Sequence, residues 1–391
     1  MDEVEKIWHY NRPRAAEQLL ATFQSAGNNK VVMFERRRRG KTDLLLYDVT
    51  PAAESLGYQV IYVNMWDNSA DPAGHLLSEY VAALKPRTLA ERAANWGRSP
   101  VEKIKLSGEL YGAKGEMEVG LSKKDDKAVA GILEALKDTA ARLAARRKKI
   151  LLLIDEVQTL GEDQGNLPLV RALRTQLDTH KNRIDAIFTG SSREGLLRMF
   201  AAEKAPFFRS SESFTLPEMD RGFVQHLLGV FSNITSLPMD EAAAVKVFEA
   251  VRKSPYHFRK IIGLAVQLKE ADVGRALEIY RRRLAEQEGY VVTWQGLTPY
   301  ERAVVYALAI GHTSIYARDT LADMRRLLGS TPSTSNVQKA ATGLIAKRLV
   351  TKSNPQPLTS DRTNYILDDE EFGEWLRAEG LSAGGRGAVG D

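Results

Sequence analysis

The sequence predicts an α/β fold: a parallel-sheet core built around a phosphate-binding loop, then a helical unit, then a small unit of three helices and a hairpin. Three observations predict it. The apolar run Val31-Val32-Met33-Phe34 enters a loop closing on Gly40-Lys41-Thr42, and Asp43-Leu44-Leu45-Leu46 opens a helix behind it. A second apolar run, Ile150-Leu151-Leu152-Leu153-Ile154, ends in Asp155-Glu156. From Asp220 onward the pattern turns wholly helical, and the last hundred residues change character again.

The chain opens with a helical pattern from Pro13 to Gln24, apolar at Ala16, Leu19, Leu20 and Phe23, broken by Gly27-Asn28-Asn29. The strand–loop–helix that follows has the frame G-x-x-x-x-G-K-[ST], with Glu35 where the first glycine belongs. Backbone N–H groups curled at a helix N-terminus make an anion site. In that frame Gly40 lets the backbone approach phosphate, Lys41 reaches the β/γ-phosphates and Thr42 ligates Mg²⁺. Glu35 brings a Cβ into the first turn and puts tight wrapping in question.

Gln59–Met65 reads as a second strand and His75–Leu84 as a helix. Val101–Ser122 alternates on two arms around Tyr111-Gly112-Ala113-Lys114-Gly115, which predicts an inserted β-hairpin at about 101–122 before a helix over Ala128–Arg147. Ile150–Ile154 is a central parallel strand, with Asp155 placed to hold the Mg²⁺ shell and Glu156 to polarise water. Arg183–Ser192 is a further strand whose polar end offers Ser191 or Ser192 to the γ-phosphate, and Ser213–Pro217 a last short one. The first 217 residues therefore form the core.

Residues 218–290 form a helical lid, its last bundle starting at Ser254-Pro255-Tyr256. Residues 291–378 hold helices over Thr298–Gly311, Ser314–Leu328 and Thr334–Arg348, then runs at Leu349–Thr351 and Thr363–Leu367 that pair across a proline-containing turn. That is the winged helix-turn-helix plan. Between Glu301 and Arg362 there are nine Lys/Arg against four acids, a surplus that can meet phosphates. The candidate nucleic-acid contacts are Lys339, Lys347, Arg348, Lys352 and Arg362. Residues 379–391 read as a disordered tail.

At 391 residues, two or three domains are expected. The absence of cysteine excludes disulfides, thiolate metal sites and cysteine catalysis, and six scattered histidines give no zinc spacing. No apolar run reaches 18 residues and the N-terminus is acidic, so the expectation is a cytoplasmic protein without a membrane partner. A net charge of +5 permits an anionic partner without demanding one.

These residues resemble the archaeal/bacterial ATPase family within the AAA+ and STAND P-loop ATPases. Asn11-Arg12-Pro13-Arg14-Ala15-Ala16-Glu17-Gln18-Leu19 is similar to the family's N-terminal box near the adenine, and Glu35–Thr42 to its arginine-rich loop. Thr189-Gly190-Ser191-Ser192 resembles its sensor strand end, and Pro206-Phe207-Phe208-Arg209 the segment whose arginine points at the γ-phosphate. Ser254-Pro255-Tyr256 resembles the lid element, while Tyr365–Asp368 and Phe372…Trp375 resemble the family's ending. The resemblance implies an ATP-hydrolysing, Mg²⁺-dependent switch with an additional-strand, AAA+-like core. Its catalytic set would be Glu156, Lys41, Arg209 and Ser191. Nucleotide contacts would come from Arg12, Arg38, Arg39, Gly40, Lys41, Thr42, Asp43, Ser192, Pro255 and Arg259, and metal contacts from Thr42 and Asp155. Its partner would be double-stranded DNA, in a mobile-element, replication-loading or defence setting. The alternatives are a STAND-type signalling ATPase with protein partners or a homo-oligomer, and a nucleotide binder with little turnover.

Overall fold

The computed structural model describes residues 3–25, 27–35, 37–85, 126–161, 163–191, 199–200, 205–207, 210–286, 288–353 and 364–378. The expected hairpin at 101–122, the tail 379–391, Ser192, Arg209 and Arg362 lie outside them.

Five parallel strands run β1 (Lys30–Phe34), β2 (Gln59–Asn64), β3 (Ile150–Asp155), β4 (Ile184–Gly190) and β5 (Glu212–Phe214), in the order β2-β3-β4-β1-β5. β4 is the additional strand, inserted between β1 and β3. An all-parallel sheet is covered on both faces, so its central strands are largely apolar, while the edge strand β5 (Glu212-Ser213-Phe214) is mostly exposed. β3 illustrates this: Ile150, Leu152 and Ile154 enter one core cluster, Leu151 and Leu153 the other. The register sets Phe34 beside Gly190 and Asn64 beside Asp155, so the carboxyl ends of the central strands lie level. Ligands of open α/β sheets bind at that edge.

The helices flank this sheet; those at the very start of the chain and between β3 and β4 were not expected from the sequence. α1 (Glu3–Trp8) and α2 (Pro13–Ser25) precede β1. α3 starts at Lys41–Asp43, continues through a wider π-wound stretch over Leu44–Val49 and finishes at Thr50–Ser55. α4 (Pro72–Leu84), α5 (Asp126–Ala144) and α6 (Leu167–Thr179) complete the layers.

The helical unit consists of α7 (Arg221–Thr235), α8 (Glu241–Ala250), α9 (Pro255–Leu268) and α10 (Val273–Ala285). Asp220, Asp240 and Asp272 cap three of these helices by accepting from backbone amides of the first turn. Its core joins Phe223, Phe231, Phe248 and Phe258 to aliphatic residues of all four helices. After α11 (Glu288–Gln295), the C-terminal unit holds α12 (Pro299–Ile310), α13 (Arg318–Leu328) and α14 (Thr334–Ala346), a two-stranded antiparallel ribbon, β6 (Val350–Ser353) with β7 (Asn364–Leu367), and α15 (Glu370–Ala378). Thr298 and Glu301 form a capping box at α12. α15 buries Phe372, Trp375 and Leu376 in the same core as α12 and α14. Among the described residues no helix is long and apolar enough to cross a membrane.

Candidate nucleotide site

The carboxyl edge of the sheet brings the expected residues together. β1 ends at Phe34, and the loop behind it delivers Lys41 and Thr42 to the start of α3. The Thr42 hydroxyl donates to Asp155 Oδ2 at 2.6 Å. Tyr62, from neighbouring β2, donates to the same oxygen at 3.2 Å. Asp155 Oδ1 accepts from the Glu156 amide at 3.0 Å and from the Thr189 hydroxyl of β4. Asp155 is thus a buried side chain whose two oxygens take four donors, as buried polar atoms generally do.

Lys41 Nζ donates to the Glu35 carbonyl at 2.7 Å. Burial pushes the ammonium pKa down, and the nearby carboxylates of Glu156, Asp155 and Glu35 oppose that. An anionic ligand would act in the same direction as those carboxylates. Glu35 itself keeps ordinary backbone geometry. Among the described loop residues only Arg38 (φ 64°) and Gly40 (φ 78°) are left-handed. The turn is therefore made at Arg38 and Gly40, which is why a Cβ at position 35 is accommodated. At Gly40 the left-handed φ favours glycine, and a Cβ would also press on Arg12 Nη2 at 3.3 Å.

Arg12 braces the loop from outside. Its Nη2 donates to the Gly40 carbonyl at 2.5 Å, its backbone amide donates to Asp48 Oδ1 at 2.8 Å, and its Nε lies 3.8 Å from Asp48 Oδ2. Burial lowers its pKa, against the attraction of Asp48. Nε and Nη1 are buried without a hydrogen-bond partner, so two donors remain for a ligand's acceptors.

Glu156 adopts a left-handed φ of 53°. Its Oε2 accepts from the Ser191 hydroxyl at 2.8 Å and from Gln158 Nε2. Thr189, Tyr62 and Gln158 were not expected in this network. Thr189 is legible only once β4 is known to lie beside β3, and nothing in the spacing marks Gln158.

These groups open into a cleft of about 520 Å³, ample for a nucleoside triphosphate. Its polar end carries Gly40, Lys41, Thr42, Asp43 and Glu156. Trp8 and Tyr10 near the N-terminus and Met219, Phe223 and Pro255 of the helical unit add apolar lining, so core and helical unit both face the cleft. Arg259 also lines it, 5.8 Å from the centre of the Trp8 ring. Thr42 and Asp155 supply two hard oxygen donors, and no cluster of three or more His, Cys, Asp or Glu side chains suited to a metal occurs among the described residues. Two protein oxygens, with the remaining positions left to water and phosphate, match what Mg²⁺ prefers.

Arg38 lines the cleft beside Lys41, and both Arg38 and Arg39 are engaged from the C-terminal unit. They pair with Asp369, Glu370 and Glu371 before and at the start of α15. Among the candidate nucleic-acid residues, Lys339, Lys347, Arg348 and Lys352 are exposed. Lys347 is held by both carboxylate oxygens of Glu301, each at 2.9 Å.

A strand-loop-helix ending in Lys41-Thr42, with Asp155-Glu156 two strands away across an inserted β4, defines a P-loop ATPase of the additional-strand type. Residues 9–260 match the family described as an ATPase domain predominantly from Archaea, and the chain belongs to that family. A comparison with curated protein sequences finds no match. Among solved structures, the chain is similar to the Walker-type ATPase PABY2304 of Pyrococcus abyssi, with 16% identity and a TM-score of 0.58 over 94% of this chain and 96% of that one. It is also similar to the ORC2 protein of Aeropyrum pernix in its ADPNP–ADP complexes, with 16% identity and a TM-score of 0.52 over 96% of this chain and 98% of that one. At that identity the likeness is one of fold.

Proposed function

We propose that this ATPase is a Mg²⁺-dependent switch whose nucleotide state repositions the C-terminal unit, and that this unit meets DNA. The observation that carries the reading is the joining of Thr42 to Asp155 beside a buried Lys41, facing a cleft that core and helical unit both line. In this reading Lys41 binds the β/γ-phosphates, Arg12 offers its two unpaired donors, and Trp8, Tyr10 and Pro255 hold the base. Thr42 and Asp155 would hold Mg²⁺, which would neutralise charge on the transferring phosphoryl group. Glu156, released from Ser191 and Gln158, accepts a proton from the attacking water. Ser191 is then free to donate to the γ-phosphate, with Ser192, Arg209 and Arg259 as further contacts. Because ligand touches both core and helical unit, its affinity differs between open and closed arrangements, the requirement for driving a movement.

We divide the chain at 217 and 290 into core, lid and winged-helix units. Three helices with an antiparallel ribbon and exposed Lys339, Arg348 and Lys352 support a DNA-facing unit. A protein-facing module is the second reading, favoured by the engagement of Lys347 with Glu301, which takes one cation out of the DNA set. The test is ATP hydrolysis with and without double-stranded DNA over a salt series. Stimulation that fades steeply with salt supports the DNA reading. Turnover indifferent to DNA moves the function to a protein partner.

A further inference from the structure

The loop arginines and the start of α15 form a contact between segments more than 300 positions apart. Arg38 Nη2 lies 3.0 Å from Glu371 Oε2, and its Nη1 3.4 Å from Asp369 Oδ1. Arg39 Nη2 lies 3.1 Å from Glu370 Oε1, while its Nη1 donates to the Lys253 carbonyl at 3.0 Å. The lid completes the contact: Ser254 donates to Glu370 at 2.8 Å, and Tyr256 donates to Glu371 at 2.9 Å while Arg38 stacks 4.4 Å above its ring. Core, lid and C-terminal unit therefore meet at this point, while the lid holds the C-terminal unit further through Arg252, which donates to the Leu308 and Ala309 carbonyls, and through Arg281 beside Glu374. Arg38 makes it from a left-handed backbone, a conformation that non-glycine residues hold only when their surroundings impose it.

Arg38 also lines the cleft with Lys41 and Thr42. A triphosphate entering there brings several negative charges to within one guanidinium of Glu371, whose pKa, raised by burial, is held low overall by Tyr256 and Arg38. Three carboxylates and a triphosphate repel each other, and both are attracted to the same two arginines.

We propose that Arg38 and Arg39 are a phosphate-released latch: Asp369, Glu370 and Glu371 hold them in the closed state, and the β/γ-phosphates of a nucleoside triphosphate displace those carboxylates and free the C-terminal unit from the core, so that it moves with the lid. The proposal rests on the nucleotide reading above and names the contact through which that reading would act. Coupling is reciprocal, so breaking the latch also tightens triphosphate binding.

The chain contains no cysteine, so a dye pair at Ser55→Cys in the core and Ser330→Cys in the C-terminal unit labels only those positions. Energy transfer is read in the full chain with and without a non-hydrolysable ATP analogue, AMP and added salt. The latch predicts that the analogue changes transfer, AMP does not, and Glu370→Gln/Glu371→Gln shows the released value without nucleotide. It also predicts roughly tenfold tighter analogue binding by that variant, since no latched fraction competes. A reciprocal swap, Arg39→Glu with Glu370→Arg, should restore the closed transfer that Arg39→Glu alone loses, which separates the latch from a folding defect. Unchanged transfer and affinity in the glutamine variant, or no restoration by the swap, would overturn the latch. A protein binding no analogue at all would instead overturn the nucleotide reading, while the nucleotide-free transfer of the variants still judges the latch.

Discussion

The Thr42 hydroxyl and Asp155 Oδ2 stand 2.6 Å apart although 113 positions separate the two residues. The sheet creates this closeness by placing β4 between β1 and β3 and ending all three strands at one level. Thr42→Val keeps the side-chain shape and removes the oxygen. It should raise the Mg²⁺ concentration needed for turnover at least tenfold, consistent with loss of one metal ligand. Asp155 keeps Tyr62, Thr189 and the Glu156 amide, so the expected stability cost is only about 1 kcal/mol. A Mg²⁺ titration of ATPase rate with a denaturant melt checks both.

The Lys347–Glu301 pair makes a different kind of claim. Glu301 is buried at the α12 capping box; burial raises its pKa, but Lys347 and the Thr298 contacts hold it low overall. Lys347→Ala should therefore destabilise the fold by about 1 kcal/mol, discounted for the lysine's partial exposure, through the unpaired glutamate. Lys339→Ala and Lys352→Ala should leave stability within about 0.5 kcal/mol. On a DNA-facing unit the latter two weaken binding in a salt-dependent way, measured by fluorescence anisotropy.

His257 predicts a pH dependence. Its Nδ1 lies 2.8 Å from the Tyr280 hydroxyl, and Nε2 is buried without a hydrogen-bond partner. Burial lowers its pKa below the ordinary 6.5, against the pull of Glu374, Glu370 and Glu371. The unfolded chain therefore takes up the proton first. The stability contribution is complete above pH 6.5 and is lost as pH falls below it, by at most about 1.4 kcal/mol per pH unit for one site. His226, also lowered by burial, adds to the same slope. Denaturant unfolding between pH 7.5 and 5.5 should show a shallower slope for His257→Gln than for the parent chain, and equal slopes would contradict the assignment.

The parts legible in the sequence are those fixed by neighbours in the chain. A strand feeding Gly40-Lys41-Thr42 and a strand closing on Asp155-Glu156 announce themselves, because a buried parallel strand is apolar on both faces and its chemistry sits at its end. The expected C-terminal hairpin pairs as β6 and β7. Long-range partners were not legible. Arg38 reads as a nucleotide contact from its place in the loop, yet its ion pair with Asp369 spans 331 positions and depends on how α15 docks. Lys347 reads as a DNA contact from its place in a basic run, and only the fold shows Glu301 beside it. The left-handed turn at Glu156 had no signal, since that residue type gives no hint of positive φ.

The most direct test of the cleft's chemistry is Glu156→Gln, with ATP binding and turnover measured on the same preparation. Glutamine keeps the size of the side chain, can still pair with Ser191, and cannot accept the proton from water. The account predicts ATP affinity within about threefold of the parent chain and turnover reduced at least a hundredfold, the scale of a lost general base. Turnover that survives the substitution would contradict the assignment of Glu156 as the base.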